Sequence, residues 1–143
     1  FRSGPSAPRE RVSGEGSADA KAAPWPLERA EAERLASSYL DRHGANDLEG
    51  VVALFSIDAW LEDPVGAPRS RGLAAISAFY RETHARNGRL DFERIGPVLV
   101  GGRELVVHVR ARLARDPGSD GMDVVYVIEL DEAGRIGSLR AWF

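Results

Sequence analysis

LEGVVALFSIDAWLEDPVG, residues 48–66, is the stretch of sequence that decides the fold. Its first part has the apolar spacing of an amphipathic helix ending near Phe55, followed by a tight connection at residues 56–58. A strand over residues 60–63 is expected next. The strand stops at Pro64, because proline has no backbone N–H to donate to a neighbouring strand and its ring restricts the backbone of the preceding residue. The stretch therefore predicts a helix that turns into a strand with a carboxylate at its end.

That carboxylate belongs to Asp63, the first candidate functional residue. Its neighbours Leu61, Pro64 and Val65 are apolar. A carboxylate in apolar surroundings has a raised pKa and becomes a usable proton shuttle. The alternative is a strand-end Asp that only caps a turn or the next helix, and the residues alone favour that structural role.

The segment before this stretch predicts the first helix. Pro26 suits its first turn, and Gly44 is expected to end it. Its buried face is formed by residues at helical spacing, namely Ala32, Leu35, Ala36, Tyr39, Leu40 and His43. A buried tyrosine such as Tyr39 needs a partner for its hydroxyl, either a backbone group or a polar ligand, and the residues alone favour a core role. Asn46 or Asp47 can cap the second helix.

The rest of the chain predicts a third helix and then a sheet. The helix runs from about Leu73 to His84, and Phe79 and Tyr80 lie on its apolar face. Five strand candidates follow, separated by turn signals: Arg89–Ile95, Pro97–Val100, Glu104–Ala114, Met122–Leu130 and Ile136–Phe143. Tyr126 is the single polar tip on an otherwise apolar strand face, as expected for a pocket wall with one oriented hydrogen-bond donor.

The length and composition of the chain limit its possible domain organisation and partners. The 143 residues suffice for one domain with a sizeable core, expected over residues 25–143. Residues 1–24 hold few large apolar side chains, which predicts a flexible tail or linker. The net charge of −3 gives no reason to expect nucleic acid or an anionic membrane as partner. No apolar run spans a bilayer and no signal peptide is evident, so a cytoplasmic protein is the default expectation.

The sequence contains no motif for a metal or a cofactor. His43, His84 and His108 lack metal-ligand spacing, and the acidic residues do not cluster as in a metal cage. Gly101 and Gly102 suit a hairpin turn better than a phosphate-binding loop. We expect no metal and no cofactor.

From about residue 35 to residue 143 the chain resembles the ketosteroid isomerase family of the nuclear-transport-factor-like and SnoaL-like superfamily. The resemblance rests on the helix–turn–helix opening, EDPVG at 62–66, AFYRE at 78–82, GPV at 96–98 and DEAGRIGSLRAWF at 131–143. It implies an α+β fold in which a cone-shaped, curved mixed sheet and three helices enclose a deep apolar pocket.

The resemblance also implies roles for individual residues. The family's general base falls on Asp63 and its oxyanion-binding tyrosine on Tyr39, with Tyr80 in support. The family's second oxyanion donor is a protonated Asp, and its position is Tyr126 here. A phenol is neutral at pH 7 and can donate the same hydrogen bond, although the longer side chain makes the pocket shallower or displaces the substrate. The expected pocket lining comprises Phe55, Phe79, Val65, Val124, Leu139 and Phe143.

Three functions follow as expectations. The first is a cofactor-independent isomerase that shifts a C=C bond by proton transfer next to a carbonyl, as in conversion of a steroid Δ5-3-ketone to a Δ4-3-ketone. Ketosteroid isomerase is itself a well-known case of this acid–base assignment, and the roles implied here are taken from it. The alternatives are a SnoaL-like epoxide hydrolase or cyclase acting on a polyketide or polyether intermediate, and a non-catalytic binding module.

The expected partners are an apolar substrate bearing a carbonyl or epoxide and a second copy of the chain, docked through the sheet face around His108, Arg110 and Arg112.

Overall fold

Residues 26–143, which the computed structural model describes, form three helices and one seven-stranded sheet. The helices are α1 (Arg29–Gly44), α2 (Leu48–Val52) and α3 (Leu73–Asn87). The strands are β1 (Phe55–Glu62), β2 (Ser70–Arg71), β3 (Leu90–Arg94), β4 (Leu99–Gly101), β5 (Glu104–Leu113), β6 (Met122–Leu130) and β7 (Ile136–Trp142). The predicted tail at residues 1–24 lies outside the described residues. None of the helices within them has the length and apolar composition needed to cross a bilayer.

The sheet is mixed, curved and unclosed, as the sequence led us to expect. Its strand order is β2–β1–β7–β6–β5–β3, and β4 pairs with β5 beside β3. Strands β1 and β7 run parallel, whereas the other pairs are antiparallel. This order places β1 beside β7, with β6 on the other side of β7, so that residues far apart in the chain lie on one face of the sheet.

The core lies between α1, α3 and the concave face of the sheet. The predicted face of α1 is buried throughout, from Ala32 to His43. The neighbouring strands β5, β6 and β7 contribute alternate residues: Leu105, Val107, Val109, Val124, Tyr126, Ile128, Leu139 and Ala141. Each large apolar side chain removed from water contributes about 1.5–3 kcal/mol, so burial of this layer favours folding strongly.

The connection between α2 and β1 is shorter than predicted. Helix α2 ends at Val52, and β1 begins at Phe55, where the backbone pairs with Ile136 of β7. The predicted turn at 56–58 is wrong because this parallel pairing extends the strand backwards. The segment between β1 and α3, for which the sequence predicted no strand, contains β2, which pairs with Trp60 and Leu61. Both errors come from strand pairing that no local pattern encodes.

Gly44 ends α1 as predicted, but a close tertiary contact explains why a glycine is needed there. It is buried as the last residue of α1, and a Cβ there would lie 2.6 Å from the backbone oxygen of Leu90. Close approach of β3 therefore requires a glycine. The left-handed residue after the helix is Asn46, with φ of 60°, and its side-chain amide donates to the Gly88 oxygen at 3.0 Å. This bond ties the end of α1 to the end of α3.

The convex side of β5 and β6, here called the outer face, carries charges around a valine strip. His108 and Arg110 both contact Asp123 at 3.1 Å, and Arg112 contacts Glu93 at 3.1 Å. Between them lie three half-buried valines, Val106, Val125 and Val127. An apolar centre with a charged rim is the usual composition of a protein interface.

We predict that a homodimer forms through the outer face. Val127→Asp would place an unpaired charge at its apolar centre and should convert the dimer to a monomer, because a buried charge without a partner is strongly unfavourable. Ile57→Asp is the matched control, since that β1 side chain is 79% exposed. Light scattering across micromolar concentrations measures the mass of each variant, and a wild-type protein at the monomer mass would contradict the dimer.

Candidate active site

A cavity of about 760 Å³ lies between α3 and the concave face of the sheet. This volume is within the range of small-molecule sites. Its wall is mainly apolar and includes Phe79, Leu90, Phe92, Ala111, Leu113 and Val124. Among its polar side chains are Asp63 and Tyr126, two residues that the sequence singled out. An apolar cavity with a small number of placed polar groups suits an apolar ligand that carries an oxygen.

Asp63 reaches the cavity because β1 ends one residue earlier, at Glu62. Beyond Pro64 the chain returns to the sheet, where the Val65 amide donates to the Ala141 oxygen at 2.8 Å. Burial raises the pKa of the Asp63 carboxyl to about 6, although the positive charge of Arg86 opposes the rise. A carboxylate with this pKa is mostly ionised at neutral pH yet basic enough to take a proton from carbon.

The adjacent carboxylate has a structural role. Glu62 accepts a hydrogen bond from the Gly66 amide at 3.1 Å and lies 3.8 Å from the guanidinium of Arg69. It does not line the cavity. Of the two acids in the EDPVG motif, Asp63 alone therefore lines the cavity, and Glu62 holds the loop that follows it.

Three tyrosines from three elements form one buried cluster. The hydroxyls of Tyr39 on α1 and Tyr80 on α3 lie 2.7 Å apart, within hydrogen-bond distance. The ring of Tyr126 on β6 packs edge-on to that of Tyr39, with centroids 5.2 Å apart. Burial raises the pKa of all three hydroxyls above the ordinary value, and Asp63 adds to the rise in each. The three phenols therefore keep their protons and can act as donors.

Only Tyr126 of this cluster lines the cavity. Tyr39 and Tyr80 are 0% exposed and lie behind it. A hydrogen bond from Tyr39 lowers the pKa of Tyr126 in part, which opposes the effect of burial. Tyr126, whose ring packs against that of Tyr39, thus lies between Tyr39 and the cavity, and Tyr39 does not line it.

The remaining predicted lining residues divide into two groups. Phe79, Val124 and Phe143 line the cavity, whereas Phe55, Val65 and Leu139 do not. Phe55 and Leu139 belong to the closed core, where Phe55 packs against the ring of Tyr80 at 6.0 Å between centroids. Alternation places these residues on an inward face, but the depth of the cavity along that face depends on how α3 packs.

Two histidines meet in the structure although they are 41 residues apart. His43 Nδ1 lies 3.1 Å from His84 Nε2, and His43 lines the cavity. Sequence reasoning missed this group, since it placed His43 on the buried face of the first helix and His84 at the end of the third without pairing them. The signal that could have found it was the spacing of His43 one turn after Tyr39 on a buried face. Within residues 26–143, no three metal-binding side chains come close enough to hold an ion.

These features are those of an α+β protein with an apolar cavity inside a curved sheet. The sequence model of the SnoaL-like domain family matches residues 36–138, which is more than half of the chain. The chain belongs to the SnoaL-like family, which confirms the resemblance noted in the sequence.

Comparison with curated proteins adds a relative of stated activity. The chain is 33% identical over 120 residues to a steroid Delta-isomerase from Nocardioides simplex. The matched region spans 80% of this chain and 90% of the relative. The similarity therefore extends over most of both chains.

Burial of Asp63 has a consequence for stability. The pKa of its carboxyl is raised from 3.8 to about 6 on folding, so the folded state binds a proton more tightly. The free energy of unfolding should therefore fall as pH rises through this window, by up to about 3 kcal/mol at 1.36 kcal/mol per pKa unit. The Asp63→Asn variant has no carboxyl to ionise at this position, so its free energy of unfolding should not fall in this way. The difference in free energy of unfolding between the variant and the wild type should therefore grow, in favour of the variant, from about pH 4 to about pH 7.5. Urea unfolding at both pH values measures it; an advantage independent of pH would contradict burial of the charge.

Proposed function

We propose that this protein is a ketone isomerase that moves a C=C bond from the β,γ to the α,β position by proton transfer. The observation that carries the proposal is the placement of Asp63 and Tyr126 on the wall of one apolar cavity. A base and a neutral hydrogen-bond donor are the two groups that enolisation of a ketone requires. The steroid activity stated for the Nocardioides relative supports a steroid-like Δ5-3-ketone as substrate.

Asp63 is the proposed catalytic base. Its carboxylate takes a proton from the carbon between the carbonyl and the C=C bond, and the electron pair of that C–H bond enters the dienolate. The protonated Asp63 then returns the proton to the γ carbon, which leaves a conjugated ketone and the starting carboxylate. The raised pKa of Asp63, about 6, reduces the difference between the pKa of the carboxyl and that of the substrate C–H group. The smaller difference assists proton transfer from carbon.

Tyr126 is the proposed donor to the carbonyl oxygen, where negative charge develops. Its hydroxyl can donate to the ligand, Tyr39 can donate to Tyr126, and Tyr80 can donate to Tyr39 across the 2.7 Å contact. Each donor in such a chain polarises the next, which strengthens the terminal hydrogen bond in a low-dielectric interior. Tyr39 and Tyr80 then act as positioning residues, and Tyr126 is the group that contacts the substrate.

Asp63→Asn should lower turnover of a β,γ-unsaturated ketosteroid by about 10²–10⁴-fold, the usual contribution of a general base. In the wild type, kcat/KM should rise with pH to a plateau above about 6, because only the ionised carboxylate accepts the proton. Absorbance of the conjugated product measures both. Glu62→Gln is the matched control, since that neighbouring carboxylate does not line the cavity.

A loss of less than about threefold in Asp63→Asn would exclude Asp63 as the base. Tight binding of the steroid by the wild type without any conversion would instead favour the non-catalytic binding module. The same assay therefore separates the proposed enzyme from that alternative.

Tyr126→Phe should lower kcat by about 10²–10³-fold, as loss of one oxyanion donor typically does. Tyr39→Phe should have a smaller effect, because its hydroxyl acts through Tyr126. Full activity in Tyr126→Phe would mean that this ring only narrows the cavity. Under that second interpretation, Tyr126→Asp would enlarge the cavity, restore the family's acid and raise the rate.

A further inference from the structure

His43 is a buried polar side chain on the cavity wall that the proposed reaction does not use. It is 4% exposed, and one ring nitrogen, Nδ1, lies 3.1 Å from His84 Nε2. The other ring nitrogen, Nε2, has no hydrogen-bond partner among the described residues. Buried polar groups without a partner are rare in folded proteins, because each has lost its hydration without gaining a replacement. A ligand atom in the cavity is the natural partner.

The ring of His43 is held in one orientation from several sides. His84 stacks on it with 5.3 Å between centroids, and Phe92 packs against it at 5.5 Å. Tyr80 contacts it edge-on at 5.1 Å. A side chain confined in this way loses little further freedom when it binds a ligand, so its hydrogen bond is preorganised.

The His84 contact also sets which role Nε2 can play. Burial lowers the pKa of His43 to about 4, so the ring is neutral at pH 7. One hydrogen lies between the two rings. If His84 donates it, His43 carries its own hydrogen on Nε2 and can donate to a ligand carbonyl; if His43 donates it, Nε2 can accept from a ligand hydroxyl. Both kinds of oxygen are therefore compatible with the site.

A second polar side chain lies on the same part of the wall. Thr83, next to His84 on α3, is 8% exposed and lines the cavity. Its hydroxyl has no hydrogen-bond partner within residues 26–143. Two unpartnered polar groups of the described chain, from α1 and α3, thus line one apolar cavity in addition to Asp63 and Tyr126.

We infer that the substrate is an apolar ketone carrying a second oxygen, and that His43 Nε2 hydrogen-bonds to that oxygen, with Thr83 beside it. The inference rests on the proposed function for the identity of the ketone. The rings of His43 and Tyr126 lie 5.6 and 5.2 Å from that of Tyr39. Both oxygens therefore fit within one fused-ring molecule. His43 is a specificity residue in this scheme, and His84 is the residue that positions it.

The test compares binding of a Δ4-3-ketosteroid with that of derivatives carrying one additional hydroxyl or keto group at different ring positions. Such conjugated ketones are of the product type and bind without turnover. At least one derivative should bind the wild type about 3–10-fold more tightly than the parent, the usual net effect of one hydrogen bond. Isothermal titration calorimetry gives the two dissociation constants.

Three variants identify the group responsible. His43→Leu should abolish the gain in affinity, whereas His43→Gln should keep part of it, because the glutamine amide reaches the position of Nε2. Tyr126→Phe should keep the ratio between derivative and parent even though it impairs turnover. In the wild type, the nitrogen chemical shift of His43 Nε2 should move with the derivative and not with the parent, a readout independent of whether the variants fold.

Equal binding of the parent and all derivatives would overturn the inference and leave the proposed function intact, with Nε2 bonded to water. A gain that survives in His43→Leu would also overturn it. Failure of every steroid to bind would overturn the proposed function, and this inference with it.

Discussion

The buried contact between the hydroxyls of Tyr39 and Tyr80, 2.7 Å long, joins α1 to α3 beneath the sheet. Neither hydroxyl can reach water, so each depends on the other, and the two helices must keep a fixed spacing. Tyr126 closes the cluster from β6. The back wall of the cavity is therefore set by hydrogen bonding as well as by apolar packing, and Tyr126 is the phenol of this cluster that lines the cavity.

The cavity combines groups that oppose stability with groups that support it. Asp63 is an acid in a largely apolar site, and its pKa rises to about 6 because burial disfavours the charge. His43 keeps a ring nitrogen without a partner among the described residues, while the tyrosine cluster and the apolar wall offset such costs. Functional sites commonly retain polar groups that a purely structural core would exclude, because a ligand completes their hydrogen bonds. The resemblance implies an acid at position 126, and this chain has a phenol there instead. A phenol is protonated at pH 7 without any shift of its pKa, so it can donate a hydrogen bond where an acid would first need a raised pKa.

Much of the fold followed from local sequence patterns. The buried face of α1, the start of α3 at Leu73 and the bounds of β6 agree with the predictions because periodicity and turn residues specify them. The start of β1 and the presence of β2 were missed, since both depend on pairing with strands distant in sequence. Gly44 was correctly seen near a helix end, but its reason for being glycine, the approach of Leu90, is a tertiary contact.

For the site, the sequence by itself determined that Asp63 lies at the end of a strand among apolar neighbours, within one residue of where β1 stops, and that Tyr126 carries the one hydroxyl on an apolar strand face. Both facts are local, because alternation and the proline ring after the strand fix them. Only the tertiary structure decided that Tyr126 covers Tyr39 and that His43 and His84 meet. Those outcomes depend on the distance between helices and sheet, which is set by packing across the whole chain and is not encoded in any single segment.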